Sequence, residues 1–222
     1  MKRYLRSFLL FYLIINYSLS SETLPYRNIV YYGDWSIYNN FYPSNMDAKS
    51  LTHFNFAFID MDSNGDLKLC DEYADFQIET IPEISTEYSY GYSGIISAFS
   101  VLKIKNPHLK LGISVGGWTK SGDFPEVARD KIKRQNFANN IAKFIDYLGF
   151  DLIDIDWEHP TVYRDGNEYD EGCHGSAEDT ENFNLLIKEL RNELDKLEKK
   201  NGKKYELSLA MSAEIEMLKV IQ

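Results

Sequence analysis

The stretch Gly149–Pro160 (GFDLIDIDWEHP) most constrains the fold, because it sets acids at regular intervals within an apolar, strand-forming run. Carboxylates are almost never fully buried unless they are paired, whereas Phe, Leu, Ile and Trp belong in a core. Side chains alternate across a β-strand. Asp154, Asp156 and Glu158 therefore share one face, and the apolar residues between them share the other. Trp157 is accordingly expected in the core.

Three like charges on one face cannot all be ionised cheaply. Neighbouring carboxylates of such a strand come close enough to share protons, so they titrate as a coupled group with at least one raised pKa. A carboxylic acid that stays protonated near neutral pH is what a general acid requires. Asp151 lies on the opposite face and is expected to cap the start of the strand or to pair there.

The acids have two other interpretations, a salt-bridged strand end and a metal site. A salt-bridged strand end would need cations on adjacent strands, and the five strand candidates contain only Lys110. A single metal ion is poorly matched by acids two residues apart on one strand, and His159 is expected on the face opposite Glu158. Neither a metal nor a cofactor is predicted.

The rest of the chain alternates strand-like and helix-like segments. Runs rich in β-branched or aromatic residues predict strands at Asn28–Tyr32, Thr52–Asp60, Lys110–Val115, Phe150–Trp157 and Tyr205–Met211. Apolar residues at helical spacing predict helices over Ile95–Ile104, Phe137–Leu148 and Phe183–Leu197, and Glu214–Gln222 is interpreted as the start of another. Such alternation with long crossovers predicts a parallel sheet and an α/β fold. Two polar, helix-free loops follow strands, at Ser85–Gly94 and Tyr163–Ser176.

The negative net charge of the chain argues against anionic partners. The net charge is −10, and the acids are spread along the chain. A dense group of cations occurs only at Lys199–Lys204, so nucleic acid and anionic membranes are poor candidate partners.

The N-terminus has the pattern of a targeting segment. Three cations precede the apolar run Phe8–Ile15, and small residues follow at Ser18–Ser20. The run is shorter than the roughly 20 residues that a membrane span requires. Residues 1–20 are therefore expected to be a signal peptide, an uncleaved anchor being the alternative, and the protein is expected to be secreted and extracellular. Cys70 and Cys173 are the only cysteines, and a disulfide between them and two free thiols are equally expected.

Two motifs resemble a known family. Asp151–Glu158 resembles the DGxDxDWE signature of glycoside hydrolase family 18, the retaining chitinases and their relatives, with Leu152 in place of the Gly. Ser114–Trp118 (SVGGW) resembles the SxGG block of that family, on the third strand and before the acids on the fourth. The resemblance covers Asn28 to about Met211.

The resemblance implies a TIM (β/α)8 barrel, with residues 21–222 as a catalytic domain that is incomplete after about five strands. Such an open sheet is expected to leave strand edges unpaired and the inward acids facing water, so that the chain alone is poorly folded and inactive.

The resemblance also implies hydrolysis of β-1,4-linked N-acetylglucosamine in chitin or chito-oligosaccharides. Glu158 would protonate the glycosidic oxygen while the acetamido carbonyl of the substrate attacks the anomeric carbon with retention. Asp156 would hydrogen-bond the acetamido N–H and exchange a proton with Asp154.

The resemblance further implies which residues form the sugar subsite. Ser114 would support the two aspartates, or bond to backbone; Gly116 and Gly117 would let the chain turn close beneath the sugar. Tyr31, Phe58 and Trp118 are expected to line one wall of the subsite. Trp35 is expected to extend this wall, and core packing is an equal alternative for each of these four residues. Tyr163 could touch either the sugar or nothing. The rival functions are an endo-β-N-acetylglucosaminidase acting on N-glycans and a non-catalytic chitin-binding lectin, although lectins of the family commonly lack an acid at the position of Glu158.

Overall fold

A computed structural model describes residues 26–79, 81 and 93–219. The strands are β1 Ile29–Gly33, β2 His53–Met61, β3 Leu67–Leu69, β4 Lys110–Gly116, β5 Leu152–Asp156, β6 Tyr163–Arg164, β7 Cys173–His174 and β8 Glu206–Leu209. The α-helices are α1 Gly94–Lys105, α2 Phe124–Arg129, α3 Lys131–Leu148, α4 Asp179–Asn201 and α5 Ile215–Leu218. Short 3-10 helices span Asp34–Asn39, Pro43–Asn45, Ala48–Ser50 and Trp118–Lys120, and Tyr73–Gln77 forms a π-helical turn.

The five predicted strands and their parallel arrangement are confirmed. They lie in the order β1, β2, β4, β5, β8, each parallel to its neighbour. Two features were not predicted: β3 pairs antiparallel with β2, and β6 and β7 form a two-stranded ribbon within the loop after β5. The predicted helices correspond to α1, α3, α4 and the four-residue α5. The predicted signal peptide and nearly all of the Ser85–Gly94 loop lie outside the described residues.

The sheet curls about its inner face. Two strands separate β1 from β5, and neighbouring strands lie about 4.8 Å apart, so a flat sheet would hold these two strands roughly 14 Å apart. The Tyr31 hydroxyl nevertheless lies 2.8 Å from a carboxylate oxygen of Asp154. This is the curvature of a barrel wall. Over the described residues the sheet is part of a (β/α)8 barrel and does not close.

The helices cover the outer face of the sheet. Ile153, Ile155 and Trp157 are fully buried there, as expected for Trp157, and Phe124 stacks on the Trp157 indole at a centroid distance of 5.3 Å. Helix α3 begins at its cap Asp130, which accepts hydrogen bonds from two backbone N–H groups, and it ends at Gly149 with φ 73°. The chain then turns directly into β5, which fixes the position of the acids.

One expectation about the open sheet is wrong. Asp154 and Asp156 are only 1% and 5% exposed, so these two inward acids do not face water, whereas the Glu158 side chain is 27% exposed. The curl of the sheet and the side chains of Tyr31 and Ser208 close over Asp154. Across the described part of the chain, no helix is both long and apolar enough for a membrane span.

Candidate active site

Asp154 is anchored by three hydroxyl groups from three other strands. Tyr31 of β1 and Ser114 of β4 both donate to Oδ2 at 2.8 Å, and Ser208 of β8 donates to Oδ1 at 2.5 Å. Burial and the charge of Asp154 raise the pKa of Tyr31, which therefore remains a donor. The Ser114 hydroxyl bonds to a carboxylate rather than to backbone. Both Asp154 oxygens are thus occupied, and the charge is held in one place.

Asp156, two residues further along β5, is turned towards Glu158. Burial, followed by the negative charges of Glu158 and Asp154 and a hydrogen bond with Glu158, raises the pKa of Asp156 to about 7. Its Oδ1 atom is buried without a hydrogen-bond partner. The exchange of a proton between Asp154 and Asp156 stays a prediction.

Glu158 lies two residues beyond the end of β5, at the mouth of the curved sheet. Its side chain is 27% exposed, and His159 Nε2 lies 3.8 Å from its Oε2. The expectation that His159 faces away from Glu158 is wrong. Strand alternation stops at Asp156, so it does not govern these two side chains. The peptide bond between them is cis, as is Ala57–Phe58.

Ser121 supports the acid-bearing segment and was not foreseen. Its hydroxyl donates to the Gly117 carbonyl at 2.9 Å and accepts from the Glu158 backbone N–H at 2.9 Å, and it is fully buried. This serine ties the turn after β4 to the residue that carries the acid. It follows the SVGGW motif by three positions, and no spacing rule in the sequence marks it.

The two glycines at the end of β4 have positive φ values and neighbours too close for a larger residue. Gly116 and Gly117 have φ values of 104° and 91°. A Cβ on Gly116 would lie 2.5 Å from the Asp156 carbonyl oxygen, and one on Gly117 would lie 3.1 Å from the Phe58 ring. The Gly117 N–H donates to the Asp156 carbonyl at 2.8 Å. The glycines therefore allow β4 and β5 to stay paired up to the acids.

Exposed aromatic rings surround this mouth. Trp35 is 55% exposed and stacks on Phe58 with ring centroids 6.4 Å apart. Trp118 is half exposed and meets the His159 ring edge-on at 6.3 Å. Tyr31 is also half exposed above its bond to Asp154. Tyr163 is placed elsewhere: its ring stacks on His174 at 5.2 Å and its hydroxyl donates to Asp165.

The lysines near the sheet form ion pairs with acids outside the candidate site. Lys110 binds Glu206 at the opposite end of the sheet, while Lys103 and Lys203 each lie 3.0 Å from Asp151. Burial alone would raise the pKa of Asp151, but a backbone N–H and the two lysines lower it. In the described residues, the three site acids have no ion pair with Lys or Arg. The alternative of a salt-bridged strand end is therefore wrong for them.

The two cysteines are free thiols, so the alternative of a disulfide is wrong. Cys70 is exposed just after β3, whereas Cys173 is buried on the ribbon and accepts a hydrogen bond from Trp157 Nε1 at 3.3 Å. Among the residues that the structure describes, no group of three or more His, Cys, Asp or Glu side chains is arranged to hold a metal ion.

Comparisons with known proteins agree on one family. A family model described as Glycosyl hydrolases family 18 matches residues 27–221. Chitinase 1 of Aphanocladium album is 30% identical over 189 residues, which are 85% of this chain and 41% of that protein. Chitinase A1 of Niallia circulans is 31% identical over 240 residues, which cover 93% of this chain and 34% of that protein.

Solved structures give the same result. Chitinase ChiA74 from Bacillus thuringiensis has a TM-score of 0.76 and 31% identity, covering 86% of this chain and 36% of that one. The chain thus spans less than half the length of these relatives.

Proposed function

The chain belongs to the glycosyl hydrolases family 18, and from that premise we propose that it carries the acid machinery of a secreted chitinase. The substrate class is β-1,4-linked N-acetylglucosamine, as chitin or chito-oligosaccharides. Residues 21–222 supply the acids and part of the sugar subsite. Secretion is supported by the charged and apolar pattern of residues 1–20. It is tested by mass spectrometry of the exported protein, in which an intact Met1 would contradict it.

The observation that carries the proposal is the Asp156–Glu158 pair. Asp156 has a pKa raised to about 7 and shares a hydrogen bond with Glu158, at the mouth of the sheet. A proton is therefore held near neutral pH beside a solvent-accessible carboxyl group, which is the requirement for protonating a glycosidic oxygen. Glu158 is the general acid.

Asp154 acts as a fixed neighbour in this mechanism. Its three hydroxyl partners keep its charge in place, and that charge favours a proton on Asp156. When a sugar is bound, Asp156 leaves the proton on Glu158 and turns to accept a hydrogen bond from the acetamido N–H of the substrate. The acetamido carbonyl then attacks the anomeric carbon as the leaving oxygen takes the proton of Glu158, which gives an oxazolinium intermediate with inversion at that carbon. Water, deprotonated by Glu158, opens this intermediate with a second inversion, so the anomeric configuration is retained overall.

The exposed rings of Trp35 and Trp118 and the half-buried ring of Phe58 supply apolar surfaces on which sugar faces stack. All three lie around the mouth rather than in the core behind the sheet. A carboxylic acid at position 158 favours an enzyme over a lectin. The names of the two sequence relatives favour chitin over N-glycans as the substrate class.

Replacement of Glu158 by Gln tests the assignment. In the context of the whole protein, the variant is expected to keep binding chitohexaose while losing at least about two orders of magnitude in turnover, because general acid catalysis is worth roughly that much. Glu168→Gln, at an exposed position of the loop after β5, is the matched control. Near-normal turnover in Glu158→Gln would remove Glu158 from the mechanism.

Product analysis separates the remaining alternatives. Proton NMR of the unmodified whole protein acting on chitohexaose is expected to show the β-anomer first, and EDTA is expected to have no effect. Initial α-anomer, or activity lost to EDTA and restored by zinc, would contradict the mechanism. Release of N-glycans from a high-mannose glycoprotein in preference to chitohexaose cleavage would assign the chain to N-glycan hydrolysis instead.

A further inference from the structure

The ribbon of β6 and β7 packs one of its faces on the acid-bearing end of the sheet. Tyr163 pairs with His174, and Arg164 pairs with Cys173. Because side chains alternate along each strand, the two pairs lie on opposite faces of the ribbon. Cys173 is fully buried against Trp157, the residue before Glu158. Arg164 therefore lies on the face that contacts the rest of the protein, and the exposed Tyr163 lies on the outer face.

Arg164 contacts Trp118 in two ways. The guanidinium carbon lies 4.3 Å from the centroid of the indole ring, and Nη2 donates a hydrogen bond to the Trp118 carbonyl oxygen. Nη1 is held by Asp170. The Arg164 side chain is only 17% exposed, and an Arg over the face of a Trp is most strongly attracted when it is desolvated. Trp118 itself keeps about half of its surface exposed.

The loop between β6 and β7 also holds the residues that follow Trp118. The Glu171 N–H donates to the Thr119 carbonyl at 3.0 Å, and Glu171 forms an ion pair with Lys120 at 3.4 Å. The short 3-10 helix Trp118–Lys120 follows two glycines with positive φ, so its own backbone restrains it little. Much of the order of this segment thus comes from the ribbon and its loop.

We propose that Arg164 is a positioning residue that holds the Trp118 indole as a rigid stacking surface for the sugar unit next to Glu158. The indole meets His159 edge-on, which places it beside the acid. A platform ordered before binding avoids the entropy of ordering it with the ligand. The identity of the ligand, an N-acetylglucosamine unit, rests on the proposed function, whereas the contact between Arg164 and Trp118 does not.

Fluorine NMR tests the contact without any ligand. The chain contains three tryptophans, so labelling with 5-fluorotryptophan gives three resonances, and Trp118→Phe identifies the one from Trp118. Arg164→Ala is expected to shift and broaden that resonance, and Arg164→Lys is expected to do so less. Arg129→Ala, which removes an exposed Arg paired with Glu126, is the matched control and is expected to leave it unchanged. An unchanged Trp118 resonance in Arg164→Ala would overturn the proposal.

Kinetics of the whole protein with chitohexaose test the consequence. Arg164→Ala is expected to raise KM about three- to tenfold, the size of one cation–π contact, with kcat within twofold, because a stacking surface binds ground state and transition state alike. In a Trp118→Ala background the same change is expected to have no further effect, since Arg164 acts through Trp118. Additive effects of the two changes would overturn the positioning role.

Two further results keep the outcomes distinct. If Arg164→Ala does not fold, Asp170→Asn takes its place, because it loosens Arg164 without removing it. This variant is expected to change the Trp118 resonance and KM in the same direction but less. No change in either quantity would overturn the proposal. If the whole protein neither binds nor cleaves chitohexaose, the proposed function fails, and the fluorine measurement still decides whether Arg164 holds Trp118.

Discussion

Replacing Asp156 with Asn is expected to stabilise the fold at neutral and alkaline pH. Burial and the charges of Glu158 and Asp154 raise the pKa of Asp156 from 3.8 to about 7. Each unit of difference between the folded and unfolded chain corresponds to about 1.4 kcal/mol, so ionised Asp156 lowers the free energy of unfolding by at most about 4 kcal/mol. Asn keeps the shape of the side chain and carries no charge.

The sign of the pH dependence follows from proton binding. Below about pH 4 the side chain is protonated in both the folded and the unfolded chain, so it contributes no pH dependence. Between about pH 4 and pH 7 the folded chain retains a proton that the unfolded chain has released. The free energy of unfolding then falls by as much as about 1.4 kcal/mol per pH unit, and the loss is complete above about pH 7. The Asn variant lacks this contribution.

The measurement is urea unfolding of the unmodified chain and of Asp156→Asn at several pH values between about 4 and 8.5. Burial also raises the pKa of Asp34 to about 6 and that of Asp75 to about 8, so only the difference between the two proteins isolates Asp156. Asp47→Asn, at an exposed position, is the control and is expected to show a difference that does not vary with pH. A difference for Asp156→Asn that stays constant, or that favours the unmodified chain as pH rises, would refute the reasoning.

Substitutions at three positions, Cys173, Gly149 and Gly116, test the packing and backbone geometry around the acids. Cys173→Ala removes the acceptor of the buried Trp157 N–H, 3.3 Å away, and is expected to lower the free energy of unfolding in urea by about 1–3 kcal/mol; Cys173→Ser keeps an acceptor and should lose less, so equal losses would contradict the role of the bond. Gly149→Ala, with φ 73° and open space around a Cβ, is expected to cost about 1–2 kcal/mol in the same assay. Gly116→Ala should cost more because its Cβ would lie 2.5 Å from the Asp156 carbonyl, and equal costs would show that the close approach of the strands is unimportant.

Local patterns in the sequence were sufficient for the five parallel strands and the helices between them. The alternation of acids and apolar residues in β5 placed Asp154 and Asp156 on one face and Trp157 in the core, because a strand reverses its side chains at every residue. The apolar stripe and the terminal Gly149 located the end of α3 in the same way. Patterns of this kind involve residues a few positions apart, so they can be read without knowing the fold. The strands β3, β6 and β7, with two or three residues each, are too short to show a period.

Tertiary structure decided how the hydroxyl groups gather around Asp154, of which only Ser114 was expected from the sequence. Asp154 is bonded by Tyr31, Ser114 and Ser208, which lie 123, 40 and 54 positions away in the chain. Only the curl of the sheet brings the first of these across two intervening strands. The raised pKa of Asp156 comes first from burial, and burial depends on how the whole sheet packs. The sequence by itself determined which face of β5 carries the acids, because that depends on local backbone geometry. Which hydroxyl groups bond Asp154 depends on strands that meet only when the sheet curls.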